Sequence, residues 1–426
     1  MKLLYKKLTN LIASAIFVIV PSFISTNSYA SQLIATKQDL SEHAVNQRGA
    51  HCTEEDKVCY FMDPQGVDCD IIFKNTVIWE LAQDLVIQTK GSIIFEKEAR
   101  LIVERDIDLF IKSGINPGNL KTYNAAVKFN GYGVQIESLG KGNIKIYANP
   151  TTVDKQHKYL NPNYNHYRSH IKANTGSESK ILVYMLVNDL FDLQNIRLFL
   201  SGNYALSQDI NGEITSSGIN WNGSGNGRFI PISYGNESDN SLIPFSGKFD
   251  GNSYTIKNLY IDGAVSEESG LFGRCQGGWL HRSTIENLTL DNCKVLGTGA
   301  NYGGILAGVI LNTEILNVNI INSNVEIGKT RGLIAGLTHD IAVDGLNISL
   351  SGFDLDTTLP TSSVSGLQKE GSIFDSYSIF REKTSTKDSS AVSFTISHDN
   401  LIVSVVDENL WKREDLLSWI KSIHFF

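Results

Sequence analysis

The sequence predicts an all-β fold of the parallel β-solenoid type, and three observations carry that expectation. A strand-like phrase recurs as Ile256-Lys-Asn-Leu-Tyr-Ile261, Ile285-Glu-Asn-Leu-Thr-Leu290 and Ile315-Leu-Asn-Val-Asn-Ile320, with a partial copy at Val343-Asp-Gly-Leu-Asn-Ile348. The equivalent positions Leu259, Leu288, Val318 and Leu346 follow one another at near-equal steps, the fixed period that marks a stacked repeat. Within each phrase apolar and polar residues alternate, as in a strand with one buried face. A glycine-bounded phrase follows each full copy: Gly270-Leu-Phe-Gly273, Gly304-Ile-Leu-Ala-Gly308 and Gly332-Leu-Ile-Ala-Gly336. One such unit covers a single edge, so its stability has to come from the units stacked on either side.

Taken in order, residues 1–30 read as a secretory signal. Lys2, Lys6 and Lys7 precede the apolar run Leu11 to Val20, and Ser28-Tyr29-Ala30 supplies small residues at the cleavage positions. The apolar run is too short to span a bilayer, which needs roughly 18 residues, and no later run is long enough either, so no transmembrane span is expected in the mature chain. Residues 31–84 show no clear period and hold Cys52, Cys59 and Cys69, for which a local disulfide with one spare thiol is the favoured reading. Residues 85–180 open the solenoid with runs such as LVIQT, SIIFE and ARLIVE, and include a polar loop at 151–179. Residues 181–355 form the repeat region, in which Cys275 and Cys293 are a candidate disulfide across neighbouring layers. Residues 356–426 form a tail and cap. The strand-like runs AVSFTIS and LIVSVV precede an apolar stripe from Leu410 to Ile423 that reads as a short helix closing the open end.

The formal charge is −8, and removal of the three signal lysines makes it more negative still, so nucleic acid is not an expected partner. Asn258, Asn287 and Asn317 recur at one place in the phrase, where the partial copy has Gly345; both residue types tolerate a left-handed turn, and stacked Asn side chains can bond to one another.

Tyr184-Met-Leu-Val-Asn-Asp-Leu-Phe-Asp-Leu-Gln-Asn-Ile196, Leu200-Ser-Gly-Asn-Tyr-Ala-Leu206, Phe229-Ile-Pro-Ile232 and Phe245-Ser-Gly-Lys-Phe-Asp-Gly251, together with the glycine-bounded phrases, resemble the GLUG-repeat region of filamentous haemagglutinin-like bacterial adhesins over roughly residues 181–350. That resemblance implies a right-handed parallel β-helix and a role in surface attachment. The expected partner is therefore a host-surface or matrix glycan or protein. The expected location is extracellular or on the bacterial surface, with the periplasm as a further compartment.

A search for chemistry yields little. GLUG repeats also accompany zinc peptidases, but none of the nine histidines lies in an H-E-x-x-H pattern. His157, His166 and His170 fall in an Asn/Pro/Tyr-rich loop, and the glycines of GSGNGR lack the rest of a phosphate loop. No catalytic residue, cofactor or metal ligand is assigned, and the expected function is non-catalytic binding. The rival is a β-helix lyase or hydrolase acting on acidic glycans. For it the pairs Asp106/Asp108 and Asp354/Asp356, each sharing one strand face, are the candidates. Convergence of outward carboxylates and basic residues on a groove would favour that enzyme; a flat polar ladder would favour the adhesin.

Overall fold

The computed structural model describes residues 70–80, 84–116, 125–149, 167, 169–174, 181–221, 226–235, 242–279, 281–327 and 330–350. It also gives the strand backbone at 32–35, 50–53, 58–62, 365–368, 373–374, 376–384, 389–397 and 400–405. The expected signal, most of the 151–179 loop, the pair Asp354/Asp356 and the stripe from Leu410 to Ile423 lie outside the described residues.

The chain is mostly β, and its strands pair in parallel with strands one layer further along the sequence. Alternation decides which side chains turn inward. In Leu109–Ser113 the burial alternates, with Leu109 and Ile111 inside, and the same holds for Val77–Trp79, Leu101–Val103 and Ile136–Ser138. Leu85, Leu109, Ile144 and Ile181 are register partners in successive layers, as are Ile87, Ile111, Ile146 and Val183. The row continues as Ala148, Met185, Tyr204, Phe249, Ile285, Ile315 and Val343, all with no exposed surface. Each large side chain so buried contributes about 1.5–3 kcal/mol. Two apolar cores result, one from Ile71 to Val183 and one from Met185 to Leu346. Between them the chain leaves the sheet for a short helix, α1 (Leu190–Asn195), capped by the Asp189 carboxylate on the Asp192 N–H at 2.9 Å.

The stacking begins earlier than the period suggested. Asp70–Phe73 and Val77–Trp79 already pair in parallel with Ile93–Phe95 and Leu101–Val103, inside the segment expected to be aperiodic. These strands are very short, and the layers they belong to differ in length. Phe73 meets Phe95 and Val77 meets Leu101, but the next partner of Leu101, Ile136, comes only after a much longer excursion. The uneven loops hide the repeat. Aromatic rings mark this side: Phe73 stacks on Phe95 at 4.5 Å and Phe95 on Phe129 at 5.3 Å.

Layers turn their corners on single left-handed residues. Asn287 (φ 53°), Asn317 (φ 53°) and Gly345 (φ 69°) form one corner, and Asn258 (φ 57°), Asn292 (φ 50°) and Asn322 (φ 50°) form the next. Asn258 therefore does not belong with Asn287. Ile256 pairs with Leu290, while Ile285 pairs with Phe249. The phrase Asn-Leu occurs at both corners, so matching by phrase shifted the first copy by one corner. The later copies stack as expected, with Leu288 on Val318. The amides bond along the stack: Asn317 Nδ2 donates to Asn287 Oδ1 at 3.2 Å, and Asn292 Nδ2 to Asn258 Oδ1 at 2.8 Å. Asn317→Gly should preserve the fold, as Gly345 does one layer on, whereas Asn317→Ala should cost about 1–2 kcal/mol for the left-handed backbone. Paired urea melts of the two variants check this; equal midpoints would contradict it.

The glycine-bounded phrases sit at a third corner, with Leu271, Ile305, Leu306 and Ile334 inside. A Cβ on Gly273 would lie 2.0 Å from the Ser233 carbonyl oxygen, so no side chain fits there.

The expected bridge between Cys275 and Cys293 is not formed: both are free, buried thiols. Their separation along the chain is shorter than a layer, so they occupy different sides of the stack. Cys275 pairs in register with Ile310 in the next layer, and the Cys293 N–H bonds to Ser323 Oγ at 3.0 Å. Burial pushes the Cys293 thiol up to about 12 and raises Cys275 as well, which leaves both protonated and unreactive. After the repeat region, Ser376–Thr384, Ser389–Ser397 and Asn400–Val405 form an antiparallel meander.

Candidate functional site

On the sheet's outer face, alternation turns Phe110, Lys112, Lys145, Tyr147, Leu182 and Tyr184 away from the core. Tyr147 and Tyr184 nevertheless have at most 1% of their surface exposed. Their cover comes from later layers of the same sheet. Tyr147 stacks on Tyr184 at 4.9 Å and donates its hydroxyl to Asp250 Oδ2 at 2.7 Å. The Tyr184 hydroxyl reaches Glu286 Oε1 at 3.4 Å, where Lys145 Nζ also pairs at 3.4 Å. Lys112 donates to Asn252 Oδ1 and lies 4.9 Å above the Tyr147 ring centroid. Ile115, Leu186 and Ala205 close the cluster.

Lys145 and Glu286 are four strands apart in the sheet, a distance of about 19 Å if the sheet were flat. Their contact therefore requires the outer face to be concave here. The bend falls where the chain departs for α1, between the two cores. A polar knot occupies the same place: Asn188 Nδ2 donates to Asn149 Oδ1 at 2.9 Å and to Asp192 Oδ2 at 3.0 Å, and Ser207 Oγ donates to Asn188 Oδ1 at 2.9 Å.

Electrostatics follow from burial. Desolvation lowers the Lys112 ammonium below its usual range, with neighbouring Asp250 opposing that shift. Desolvation first, then Asp250, raises the Tyr147 phenol well above 10, and burial together with Glu286 raises Tyr184 likewise. Both phenols are thus protonated donors at neutral pH. Asp250 also accepts the Asn252 N–H at 2.7 Å and Asn287 Nδ2 at 3.2 Å, so its oxygens are engaged on several sides.

Burial also pushes Tyr167 up to about 12 and raises Tyr204. An unfolded tyrosine loses its proton near pH 10, whereas these keep theirs. Above that pH the folded state binds more protons, so stability falls as pH rises. Each fully buried phenol should remove about 1.4 kcal/mol per pH unit in that window. A base titration should show these phenols ionising together with the loss of β circular dichroism. Full ionisation with intact dichroism would contradict their burial.

The residues singled out from sequence are placed elsewhere. Asp106 accepts the Lys141 N–H at 2.8 Å, and Asp108 accepts the Asn143 N–H at 2.7 Å, while its own N–H bonds to Asp84 at 2.7 Å. Each carboxylate thus binds the next layer's backbone. His170 stacks on Phe129 at 4.7 Å and meets the Gly133 carbonyl oxygen at 3.1 Å. His157 and His166 lie outside the described residues. No group of three or more His, Cys, Asp or Glu side chains placed to hold a metal occurs among the described residues.

Sequence inspection missed Lys112, Lys145, Asp250 and Glu286. The available signal was alternation: Lys112, Lys145 and Tyr147 sit at outward positions of strands that are otherwise strongly apolar. Which later layer they would meet was not readable.

Fold and cluster together define an all-β protein of parallel stacked layers with a closed polar seam on a concave face. No family model matches the chain, and no solved structure matches it. A stretch of 127 residues, 29% of the chain, is 36% identical to a segment of Halomucin from Haloquadratum walsbyi, and it spans 1% of that protein's length. Among the described residues, no helix is long and apolar enough to cross a membrane.

Proposed function

We propose that the chain is an exported, right-handed parallel β-helix that works by binding, in the manner of an adhesin, and presents its polar faces to glycans or matrix proteins outside the cell. The observation that carries this reading is the pair of asparagine columns. Asn211, Asn258 and Asn292 bond in series at one corner, and Asp250, Asn287 and Asn317 at the next, which displays amides at the spacing of the layers. Such a one-dimensional array suits an extended partner with its own repeat, such as a polysaccharide. Similarity to a short piece of a far longer chain, Halomucin, agrees with a module that also occurs inside a longer protein.

A second reading, a polysaccharide lyase or hydrolase, is favoured by the convergence of Lys112, Lys145, Asp250 and Glu286 on the concave face. Against it, Lys145 pairs with Glu286, Lys112 donates to Asn252 and Asp250 accepts from Tyr147, Asn252 and Asn287, and Lys145 and Glu286 each keep only 15% of their side-chain surface exposed. Purified residues 31–426 incubated with a panel of glycans, uronate polymers included, separate the two. The binding reading expects retained protein and polymer of unchanged length. Shortened polymer would overturn it, and Asp250→Asn and Glu286→Gln would be the first variants to assay.

A further inference from the structure

The backbone register assigns a disulfide to Cys52 and Cys59. Ala50–Thr53 and Val58–Met62 form an antiparallel hairpin in which Cys52 and Cys59 are direct partners, flanked by His51 with Tyr60 and Thr53 with Val58. Directly opposed residues of an antiparallel pair share one face, with Cα atoms about 4.5–5.5 Å apart, inside the roughly 4.4–6.8 Å between Cα atoms that a disulfide spans. The third cysteine of the segment, Cys69, lies outside the described residues. It immediately precedes Asp70–Phe73, which pairs with Gln32–Ala35 and Ile93–Phe95 in a different sheet from the hairpin.

The hairpin has a structural task that a cross-link serves. Val58–Met62 pairs in parallel with Asp84–Thr89, so Ala50–Thr53 is, among the described strands, the outermost on that side of the long sheet. A two-stranded hairpin is marginal by itself, and an open edge invites pairing with other chains. Tying the hairpin across its two strands keeps the outer strand in place over that edge.

Closing the bond removes one hydrogen from each thiol. The two electrons and two protons pass to an exogenous disulfide, protein or small molecule, which leaves as two thiols. That the bond forms in the organism rests on the export proposed above, since an oxidising compartment supplies such a disulfide. The pairing itself rests on register alone.

Purified residues 31–426 are equilibrated with oxidised and reduced glutathione, denatured without reductant, alkylated, digested and mapped by mass spectrometry. The expected result is one peptide pair linked through Cys52 and Cys59, with Cys69, Cys275 and Cys293 alkylated. A link from Cys69 to either residue, or five alkylated cysteines, would overturn the assignment. The same map on protein recovered from the source cells tests export separately. Five free thiols there, alongside the Cys52–Cys59 link in vitro, would count against export and not against the register.

Discussion

Asp250→Ala is expected to lower stability by about 3–5 kcal/mol, the usual consequence of removing one partner from a buried charged network. Asp250 is 2% exposed and accepts from the Tyr147 hydroxyl, the Asn252 N–H and the Asn287 amide, and its charge opposes the desolvation of Lys112. Truncation leaves a buried phenol and a half-buried ammonium without that carboxylate. Asp250→Asn keeps an oxygen acceptor but no charge and should lose less. Because the seam joins the two cores, hydrogen exchange should quicken first around 144–148 and 181–187 and at 248–250. Unchanged urea midpoints for both variants would mean that the seam does not hold the bend.

Phe272→Ala should cost a similar amount, about 3–5 kcal/mol, for a different reason. Phe272 has no exposed surface and packs 4.8 Å from the Phe245 ring and 5.6 Å from Phe249, between layers that cannot collapse without breaking register. The void would weaken the layers it touches, while strands joined to them neither by direct pairing nor through the seam should stay nearly as they were. Exchange rates should therefore rise at 245–249 and 307–311 while those at 101–103 stay unchanged. A uniform rise would point to a globally cooperative unit instead.

Much of the architecture was legible in the sequence wherever side chains report on it locally. Alternation in Leu109–Ser113 and the glycine pairs around Leu271 and Ile305 needed only the rules for strands and close approach. The spacing of Leu288, Val318 and Leu346 was legible because those layers carry no insertions. It failed at Leu259, since a left-handed Asn followed by an apolar residue serves two corners equally well. The earliest layers, Asp70–Phe73 and Val77–Trp79, escaped notice because strands so short leave room for only one or two alternations. Asp106 and Asp108 looked like a pair because they share a strand face. In the structure each carboxylate satisfies a backbone N–H of the adjacent layer instead. The seam was beyond reach for a further reason: Lys145 and Glu286 lie far apart along the chain, and only a bend in the sheet brings them together.

The account rests on layer-to-layer parallel register, including the step from Ile256 to Leu290 that departs from the phrase repeat. Spin labels on Lys257→Cys and Asp291→Cys test it directly, in a background where Cys52, Cys59 and Cys69 are Ser and the two buried thiols stay unlabelled. These residues are register partners, so the labels should sit one strand apart and couple strongly, which broadens the spectrum well beyond the sum of the single variants. An unbroadened spectrum would mean that Lys257 and Asp291 are not partners on neighbouring strands and would contradict the stack described here.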